Sequence, residues 1–442
     1  MSAANSNGPS PISANKPRWG RVLGLTLAGI LVFLLVFAFA AAKGMVPTSV
    51  VNGAASLFVG RQPGAVEWDT NQPANVLVMG LQIGGASTNP LTDSMMVVSY
   101  DPGAKSLSML SIPRDLYVEI PGHGSGRINE AFEDGGAAEA LLTVQQNLSI
   151  PVNYYALISY TAFEKLVDDL GGVTVDVPRD MNDPTYPADD EIHFDPFKIS
   201  KGVHHLNGHE ALRYARSRHA DPLGDIGRAQ RQQQILVALK EQALKPANIL
   251  KLGLIMRDVQ ATVRTNFPLD QAAGLGLRVL QADKDKVQKG VLDYESHAIT
   301  GAIIAGADVL APNPKVIREI TGKLFAPTLA YLKAGATVRV DNGSGYTGIA
   351  TAYSRALANM GVKVTDPGDA DRKDHPTAVV RAYTRDRAKM AEAKLLASML
   401  GVALEQASGK ESVDIVIILG KDYAPFNKFS AKDWDSAVAP QN

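Results

Sequence analysis

The segment Asn75–Asp115, NVLVMGLQIGGASTNPLTDSMMVVSYDPGAKSLSMLSIPRD, decides the fold class. It contains three short runs of β-branched and other apolar residues: NVLVMG, MMVVSYD and SLSMLSIP. Gly, Pro and Asp residues flank these runs, and this arrangement is typical of strands. The segment therefore predicts three strands that follow one another closely along the chain.

Helices and further strands alternate after this segment. INEAFEDGGAAEALLTVQQNL (128–148) predicts a helix with a Gly-Gly interruption, and YYALISY (154–160) predicts a strand. TAFEKLVDDLGG (161–172) predicts a helix with Thr161 as its N-cap and a glycine stop, and VTVDVP (173–178) predicts another strand. Such alternation predicts a layered α/β (α+β) domain, with a mixed sheet flanked by helices.

The remaining pattern sets the domain boundaries. LNGHEALRYARSR (206–218) begins a helical region, with a long helix from Asp225 to about residue 247. A short strand-like piece, AITGAIIAGA, follows at 298–307. We predict one domain over residues 75–326, a linker over 327–336, a small C-terminal α/β domain over 337–423 and a loose polar tail over 424–442.

The N-terminal region predicts a membrane anchor. Residues 1–21 form a polar leader, and the uncharged run 22–42 would reach about 31 Å as a helix, close to the thickness of a bilayer core. A cleaved signal peptide has a shorter apolar core, which favours an uncleaved single-pass helix. Lys16, Arg18 and Arg21 precede the run, so the N-terminus is expected in the cytoplasm. The chain beyond it, which starts with a linker over residues 43–74, is expected outside the cell membrane.

Composition excludes several classes of function. The chain has no cysteine, which excludes disulfides, thiol catalysis and cysteine-bound metals. Its net charge of −1 gives no overall basic field for nucleic acid. Binding of an anion would therefore depend on local clusters of charge.

One such cluster is ALRYARSRHADPLGDIGRAQRQQQIL (211–236), with five arginines and four glutamines. Arg216 lies near the end of one predicted helix, with Arg218 just beyond it. Asp225 is the predicted N-cap of the next helix, where Arg228 and Gln232 share a face. Guanidinium groups match phosphate oxygens, which indicates a pyrophosphate or phosphodiester site. A solvated helix face with salt bridges is the alternative.

Three residues upstream add to the predicted anion site. Arg114 follows a strand in SIPRD, and strand ends are common ligand sites in α/β sheets. Arg127 precedes a helix in GRIN. Asp93, at the start of a predicted strand, is a candidate ligand for a hard metal ion, or else a turn residue.

Six motifs follow one another along the chain: TDSMMVVSYDP, SIPRDLYV, GRINEAF, FEKLVDDLGGVTVDVP, HHLNGHEALRYARSRH and GDIGRAQRQQQIL. In their order and spacing they resemble the LytR–CpsA–Psr family of membrane-anchored bacterial envelope proteins. VRVDNGSGYTGIA and DIVIILGKDY resemble the C-terminal domain of some members. The resemblance implies a phosphotransferase that moves a glycopolymer from a polyprenyl pyrophosphate carrier to peptidoglycan and releases polyprenyl phosphate.

The resemblance also implies roles for residues. The pyrophosphate would be held by Arg114, Arg216, Arg218, Arg228 and Gln232, and the head group or acceptor would lie near Arg127. Asp93 would help to hold Mg²⁺, and the lipid tail would lie in an apolar channel. Asp225 or Asp115 could accept the proton of the acceptor hydroxyl, although Asp225 could instead only cap its helix.

Two positions depart from the family pattern. Gln82 stands where the family places a first metal-binding Asp, and Leu91 stands where it places an arginine. A glutamine carbonyl can bind Mg²⁺ but brings no charge, so metal affinity should fall. A protein that binds polyprenyl pyrophosphate or envelope glycan without turnover therefore remains an alternative. A transcriptional attenuator is a third reading, for which the chain shows no DNA-binding segment.

Overall fold

The computed structural model describes residues 69–81, 91–188, 193–217, 224–243, 245, 248, 263–267, 271, 275 and 286–423. Among these residues, no helix combines the length and the apolar character needed to cross a bilayer. The predicted membrane helix, residues 22–42, lies outside the described residues, as do the leader and the tail.

A six-stranded mixed sheet forms the centre of the first domain, in the order β11-β6-β1-β2-β3-β12. Its strands are β1 (Ala74–Leu81), β2 (Thr92–Asp101), β3 (Ser106–Ile112), β6 (Tyr154–Ser159), β11 (Arg264–Thr265) and β12 (Val287–Val291). β2 is antiparallel to both β1 and β3, whereas β6 is parallel to β1 and β12 is parallel to β3. The three strands predicted from Asn75–Asp115 are confirmed as consecutive antiparallel neighbours.

Helices cover both faces of this sheet, which confirms the predicted α/β class. Leu77, Met79 and Val97 point to the face covered by α1 (Glu130–Leu148). Val78, Met96 and Val98, at the alternate positions, face the other side. The helices on that side are α2 (Tyr160–Asp169), α3 (Gly208–Arg216) and α4 (Gly224–Ala243).

The helix starts show which local predictions hold. α1 has the expected interruption, because Gly135 and Gly136 have non-helical backbone angles. The N-cap predicted at Thr161 is wrong: Ser159 is the N-cap of α2, and its Oγ accepts the amide of Ala162 at 3.2 Å. Ser159 ends β6 with an extended backbone, so its side chain is free to turn toward the first helical amides.

The two helices that carry the arginine cluster start differently. α3 has a full capping box between Asn207 and Glu210. α4 is described from Gly224 onward, and the cap predicted at Asp225 stays a prediction because that side chain lies outside the description. Helix ends vary by one or two residues with local turns that periodicity does not resolve.

In the described residues, four two-stranded antiparallel pairs lie outside the main sheet, and the sequence pattern missed most of their strands. They pair β4 (Tyr117–Ile120) with β5 (Gly124–Arg127), β7 (Val173–Val177) with β10 (Gly202–Leu206), β8 (Met181–Asp183) with β9 (Phe197–Ile199), and β13 (Ile299–Ile304) with β14 (Ala307–Pro312). Only β7 and the strand-like piece near residue 300 were expected. The loop between β8 and β9 forms part of the site described below.

A second sheet follows in the order β16-β15-β20-β18-β19, with β17 also paired to β15. Its strands are β15 (Thr337–Asn342), β16 (Lys363–Val364), β17 (Gly368–Asp369), β18 (Val379–Ala382), β19 (Leu404–Gln406) and β20 (Ile415–Leu419). Its helices are α7 (Ile349–Asn359) and α8 (Arg387–Met399). This arrangement is the small α/β unit expected from the sequence.

Two helices connect the sheets: α5 (Pro314–Leu324) and α6 (Ala326–Tyr331). α6 lies largely within the segment predicted as a linker, residues 327–336. One continuous apolar cluster includes Leu77 of the first sheet, Leu329 of α6 and Ile417 of the second sheet. Asn153 donates from its Nδ2 to Oγ of Ser398 at 2.7 Å and adds a buried hydrogen bond between the two units.

Candidate functional site

The candidate site lies at one end of the first sheet. β1, β3 and β6 end there, and β2 begins there: Leu81 of β1 is aligned with Thr92 of β2 and with Ser159 of β6. The connections that leave these strand ends carry polar side chains. The edge therefore collects side chains from segments far apart in the sequence, as the strand ends of α/β sheets commonly do.

Asp93, the second residue of β2, is held by two donors. Nη1 of Arg114 is 2.5 Å from its Oδ1, and the hydroxyl of Tyr160 donates to its Oδ2. Arg114 reaches this position because Pro113 ends β3 just before it. Burial, and next the negative charge of Asp93, raises the pKa of Tyr160 well above its ordinary value. The Tyr160 hydroxyl therefore remains protonated and acts as a donor.

α3 and α4 bring their arginines to the same place. Arg216, the last residue of α3, lies with its Cζ 4.1 Å from the centroid of the Tyr160 ring. Arg228, in the first turns of α4, is 7% exposed. Gln232 lies one turn further along α4, and its Nε2 donates to the carbonyl of Ala215 at 3.4 Å. The break between the helices allows both to face one point.

These side chains share one cavity of about 410 Å³ between the sheet and the helices. Its polar lining includes Asp93, Arg114, Tyr160, Tyr186, Arg216, Arg228 and Gln232. Its apolar lining includes Val78, Met96, Ile158, Phe163, Leu212, Ile235 and Leu236. Val78 and Met96 are paired further from the sheet edge than Gly80 and Ser94, so apolar wall lies deeper than the charged groups. Such a cavity accommodates an anionic head joined to an apolar chain.

Arg127 and Asp115 lie beside the cavity and do not line it. Nε of Arg127 pairs with Glu130 at 2.8 Å, and its Nη1 is 4.0 Å from Asp115. The carboxylate of Asp115 is also 3.5 Å from Nε of Arg114. Asp115 therefore supports Arg114 from the side away from the cavity. Because Asp115 does not line the cavity, no contact supports its predicted role as a proton acceptor.

Three predicted positions have no described side chain. Gln82 and Arg218 lie outside the described residues. Asp225 lies in α4, but its side chain is likewise outside the description. The roles predicted for all three remain predictions.

The other arginines and glutamines of the cluster fasten the two helices to their surroundings. Arg231 is 3% exposed and donates to the carbonyls of Tyr214 and Ser217. Arg213 donates to the carbonyls of Asp195 and Pro196 and thereby holds the β8–β9 loop. Arg213 also pairs with the carboxylate of Asp195 at 3.2 Å. Neither Arg213 nor Arg231 lines the cavity, so the cluster combines ligand-facing and structural groups.

Gln233 and Gln234 have a similar structural role. Nε2 of Gln233 donates to Oγ of Ser111 at 2.9 Å, and Nε2 of Gln234 donates to the carbonyl of Asp176 at 2.6 Å. These bonds tie α4 to β3 and β7. These glutamines thus donate to a backbone carbonyl and to a buried hydroxyl of the neighbouring strands.

Among the described residues, Asp93 is the one carboxylate at the cavity surface that faces the arginines and could bind a magnesium ion. Among them there is no group of three or more His, Cys, Asp or Glu placed to hold a metal ion. Asp183 also lines the cavity, but its Oδ2 accepts the hydroxyl of Ser217 at 2.8 Å, and the residue is 1% exposed. A Mg²⁺ ion bound here would have Asp93 as its carboxylate ligand and would take its other ligands from water and a substrate phosphate. Both carboxylate oxygens of Asp93 already accept hydrogen bonds, from Arg114 and Tyr160.

The sequence pattern did not identify Tyr160 and Tyr186 as site residues. Tyr160 was interpreted as the end of a strand, and Tyr186 lies in the β8–β9 hairpin, which the pattern missed. The position of Tyr160 after a strand that ends at the ligand-binding edge is the signal that could have found it.

Comparisons with known proteins agree with the motifs. The model of the LytR_cpsA_psr family matches residues 47–325. A second model, described as LytR cell envelope-related transcriptional attenuator, matches residues 335–423. Among solved structures, protein gbs0355 of Streptococcus agalactiae has a similar fold, with a TM-score of 0.51 and 25% identity over 58% of this chain and 88% of that one.

Two curated relatives are similar over part of their length. Regulatory protein MsrR of Staphylococcus aureus (strain COL) is 39% identical over 198 residues, 44% of this chain and 56% of MsrR. The polyisoprenyl-teichoic acid–peptidoglycan teichoic acid transferase TagV of Bacillus subtilis (strain 168) is 35% identical over 248 residues, 55% of this chain and 59% of TagV. The chain thus spans little more than half the length of these relatives. Because the first family model alone matches well over half of the chain, this protein belongs to the LytR–CpsA–Psr family, and its second sheet lies in a LytR C-terminal domain.

Proposed function

We propose that this protein is a phosphotransferase that transfers a polyprenyl-pyrophosphate-linked glycopolymer to peptidoglycan. One observation carries the proposal: a single cavity has arginines from three separate segments at one end and apolar wall beyond them. The similarity to TagV, which is named as a polyisoprenyl-teichoic acid–peptidoglycan teichoic acid transferase, supports the same class of reaction. The polymer of this protein is a teichoic-acid-like chain or a capsular or cell-wall polysaccharide.

The arginines supply what phosphoryl transfer requires. The acceptor hydroxyl of peptidoglycan attacks the phosphorus that bears the glycan and forms a new O–P bond. The bond from that phosphorus to the bridging oxygen breaks, and polyprenyl phosphate leaves with the electron pair. The proton of the acceptor hydroxyl passes to the predicted acceptor Asp225 or to the departing phosphate. Arg114, Arg216 and Arg228 stabilise the charge on the phosphate oxygens, because fixed guanidinium groups in a poorly solvated site cost little reorganisation. Gln232 completes this polar set, with Arg218 as a further predicted member.

The lipid and the metal ion have separate places in this scheme. The apolar wall would receive the first isoprene units of the carrier, and the predicted helix at residues 22–42 would keep the enzyme at the membrane where that carrier resides. Mg²⁺, held by Asp93 and by substrate phosphate, would neutralise part of the pyrophosphate charge. Gln82 and Leu91 reduce the local set of charged groups, so we expect weak dependence on the metal ion.

A transfer assay tests the proposal. The extracytoplasmic portion, from about residue 56, is incubated with a short-chain polyprenyl pyrophosphate oligosaccharide and nascent peptidoglycan, with Mg²⁺ or with a chelator. Mass spectrometry then detects glycan phosphate joined to peptidoglycan. We expect transfer by the wild-type protein and a loss of at least a hundredfold in Arg216→Ala, since each lost charged contact to a transition-state oxygen costs about 3 kcal/mol.

A binding protein without turnover is the second candidate. It is favoured by one observation, that both oxygens of Asp93 already accept hydrogen bonds from the protein. Tight binding of the lipid without transfer to any acceptor would support this candidate and contradict the transferase. In that case the Gln82→Asp variant tests whether a missing metal ligand is the cause.

A further inference from the structure

Tyr160 contacts both charged halves of the cavity. Its hydroxyl donates to Oδ2 of Asp93, and its ring lies against the guanidinium of Arg216, 4.1 Å from centroid to Cζ. Asp93 comes from the start of β2, and Arg216 comes from the end of α3.

The position of Tyr160 is fixed by the backbone rather than by the cavity. It is the first residue of α2 and follows Ser159, which ends β6 and caps the helix. The capping bond from Ala162 to Ser159 sets the direction in which the chain leaves the sheet. The Tyr160 side chain is therefore presented to the sheet edge by a strand and a helix, which are more rigid supports than a loop.

Tyr186 holds Arg216 from another side. The Cζ of Arg216 is 5.8 Å from the centroid of the Tyr186 ring, and Arg216 forms a side-chain hydrogen bond with the Tyr186 hydroxyl. A guanidinium with a face against one ring and a hydrogen bond to another loses freedom of rotation. Its remaining N–H groups then have a set direction, which is what bidentate contact with a phosphate requires.

We propose that Tyr160 is a positioning residue for the transfer reaction: through one side chain it orients the Asp93 carboxylate and supports the face of Arg216. The proposal rests on the proposed function. The two contacts are chemically distinct, because the first uses the hydroxyl and the second uses the ring. Substitutions can therefore separate them.

Tyr160→Phe removes the hydroxyl and keeps the ring. The Asp93 carboxylate loses one of its two donors, so we expect kcat to fall by about 10- to 100-fold, the effect of one hydrogen bond to a charged group. The Kd for a polyprenyl pyrophosphate without glycan should stay within about threefold of the wild-type value, because the stacking on Arg216 persists.

Tyr160→Leu removes both contacts. We expect the same loss in kcat together with a 3- to 30-fold rise in the Kd for the lipid pyrophosphate, the effect of losing the cation–π contact. Tyr186→Phe should raise that Kd, because Arg216 loses a hydrogen-bond partner. Tyr294→Phe, at a half-exposed tyrosine outside the cavity, is the matched control and should change neither quantity.

Binding is measured by calorimetric titration and kcat by the transfer assay, with thermal denaturation as a check of folding. If Tyr160→Leu does not fold, the contrast between Tyr160→Phe and Tyr186→Phe tests the same split. If the wild-type protein is active and Tyr160→Phe has the same kcat, this inference is overturned and the proposed function stands. A wild-type protein that neither binds nor transfers would overturn the proposed function and this inference with it.

Discussion

The described arginines of residues 211–236 divide into two groups by what their guanidinium groups contact. Arg216 and Arg228 line the cavity, whereas Arg213 and Arg231 donate to backbone carbonyls of the α3 end and the β8–β9 loop. Residue type and spacing are similar in both groups. Their roles follow from which carbonyls the fold leaves nearby, and this is information that a single sequence does not contain.

Arg231→Ala should lower stability. The carbonyls of Tyr214 and Ser217 lose a charged donor in a buried position, which should reduce the free energy of unfolding by about 1.5–3 kcal/mol. Thermal or urea denaturation measures the change. Arg385→Ala, at an exposed arginine, is the control and should shift the midpoint very little. Equal midpoints for both variants would contradict the structural role of Arg231.

Glu139 should make stability depend on pH. It is 1% exposed in α1, and burial, with the negative charge of Asp134, raises its pKa from 4.5 to about 9. Above pH 4.5 the unfolded state releases the Glu139 proton, whereas the folded state keeps it up to about pH 9. The contribution of Glu139 to the free energy of unfolding is therefore complete below pH 4.5 and is lost as the pH rises toward 9. Glu139→Gln should add a few kcal/mol to the free energy of unfolding at pH 8 and almost nothing at pH 4.5.

Urea denaturation at several pH values checks this prediction. Asp134→Asn is a useful companion, because it removes the neighbouring negative charge and leaves the buried carboxyl in place. It should shift the pH dependence only slightly, since burial is the larger cause. A Glu139→Gln variant with the same pH profile as the wild-type protein would contradict the assignment.

At the scale of elements, the position of α3 depends on a close contact with α2. A Cβ at Gly208, the first residue of α3, would lie 2.0 Å from the carbonyl oxygen of Glu164 in α2. The helices can approach this closely only because residue 208 lacks a side chain. α3 carries Arg216 at its other end, so the same contact helps to place the guanidinium in the cavity.

Gly208→Ala should therefore destabilise the protein by about 1–3 kcal/mol and weaken binding of the lipid pyrophosphate. Denaturation and calorimetric titration measure the two effects. Gly322→Ala is the matched control: it is also a helical glycine, in α5, with open space around the added Cβ. It should stabilise the protein by up to about 1 kcal/mol. Equal effects of the two variants would contradict the close contact.

The elements themselves were largely predictable, and the reasons are local. Apolar runs between turn residues marked β1, β2, β3 and β7, and the segment LNGHEALRYARSR marked the helical region that contains α3. The β4–β5 and β8–β9 hairpins were not predicted, because strands of three or four residues are too short for their alternation to stand out in the sequence. Because the β8–β9 loop supplies Tyr186, the sequence pattern missed this part of the cavity lining as well.

At the scale of the whole molecule, the two sheets share one apolar core. The buried cluster continues from Leu77 through α5 and α6 to Ile417. Polar contacts join the same units: Nε2 of Gln72 donates to the carbonyl of Ala391 at 2.6 Å, and Asn153 donates to Ser398. The sequence indicated two units and a linker, and it could not show their packing, since contacts between distant segments leave no periodic pattern.

A shared core predicts cooperative unfolding. Differential scanning calorimetry of the protein from about residue 56 onward should show one transition, because separation of the two units would expose apolar surface of both. Asn153→Ala should lower that single midpoint and leave one transition. Two well-separated transitions in the wild-type protein would contradict the continuous core.

The central claim is that the cavity between the sheet and the helices holds the lipid carrier with its pyrophosphate against the arginines. The most direct measurement is photocrosslinking with a polyprenyl pyrophosphate that carries a photoreactive group in its first isoprene units, followed by peptide mass spectrometry. The account predicts crosslinks to peptides that contain Ile158, Leu212 or Leu236, and their loss in Arg228→Ala or with excess unlabelled lipid. Crosslinks confined to surface peptides, unchanged in Arg228→Ala, would contradict it.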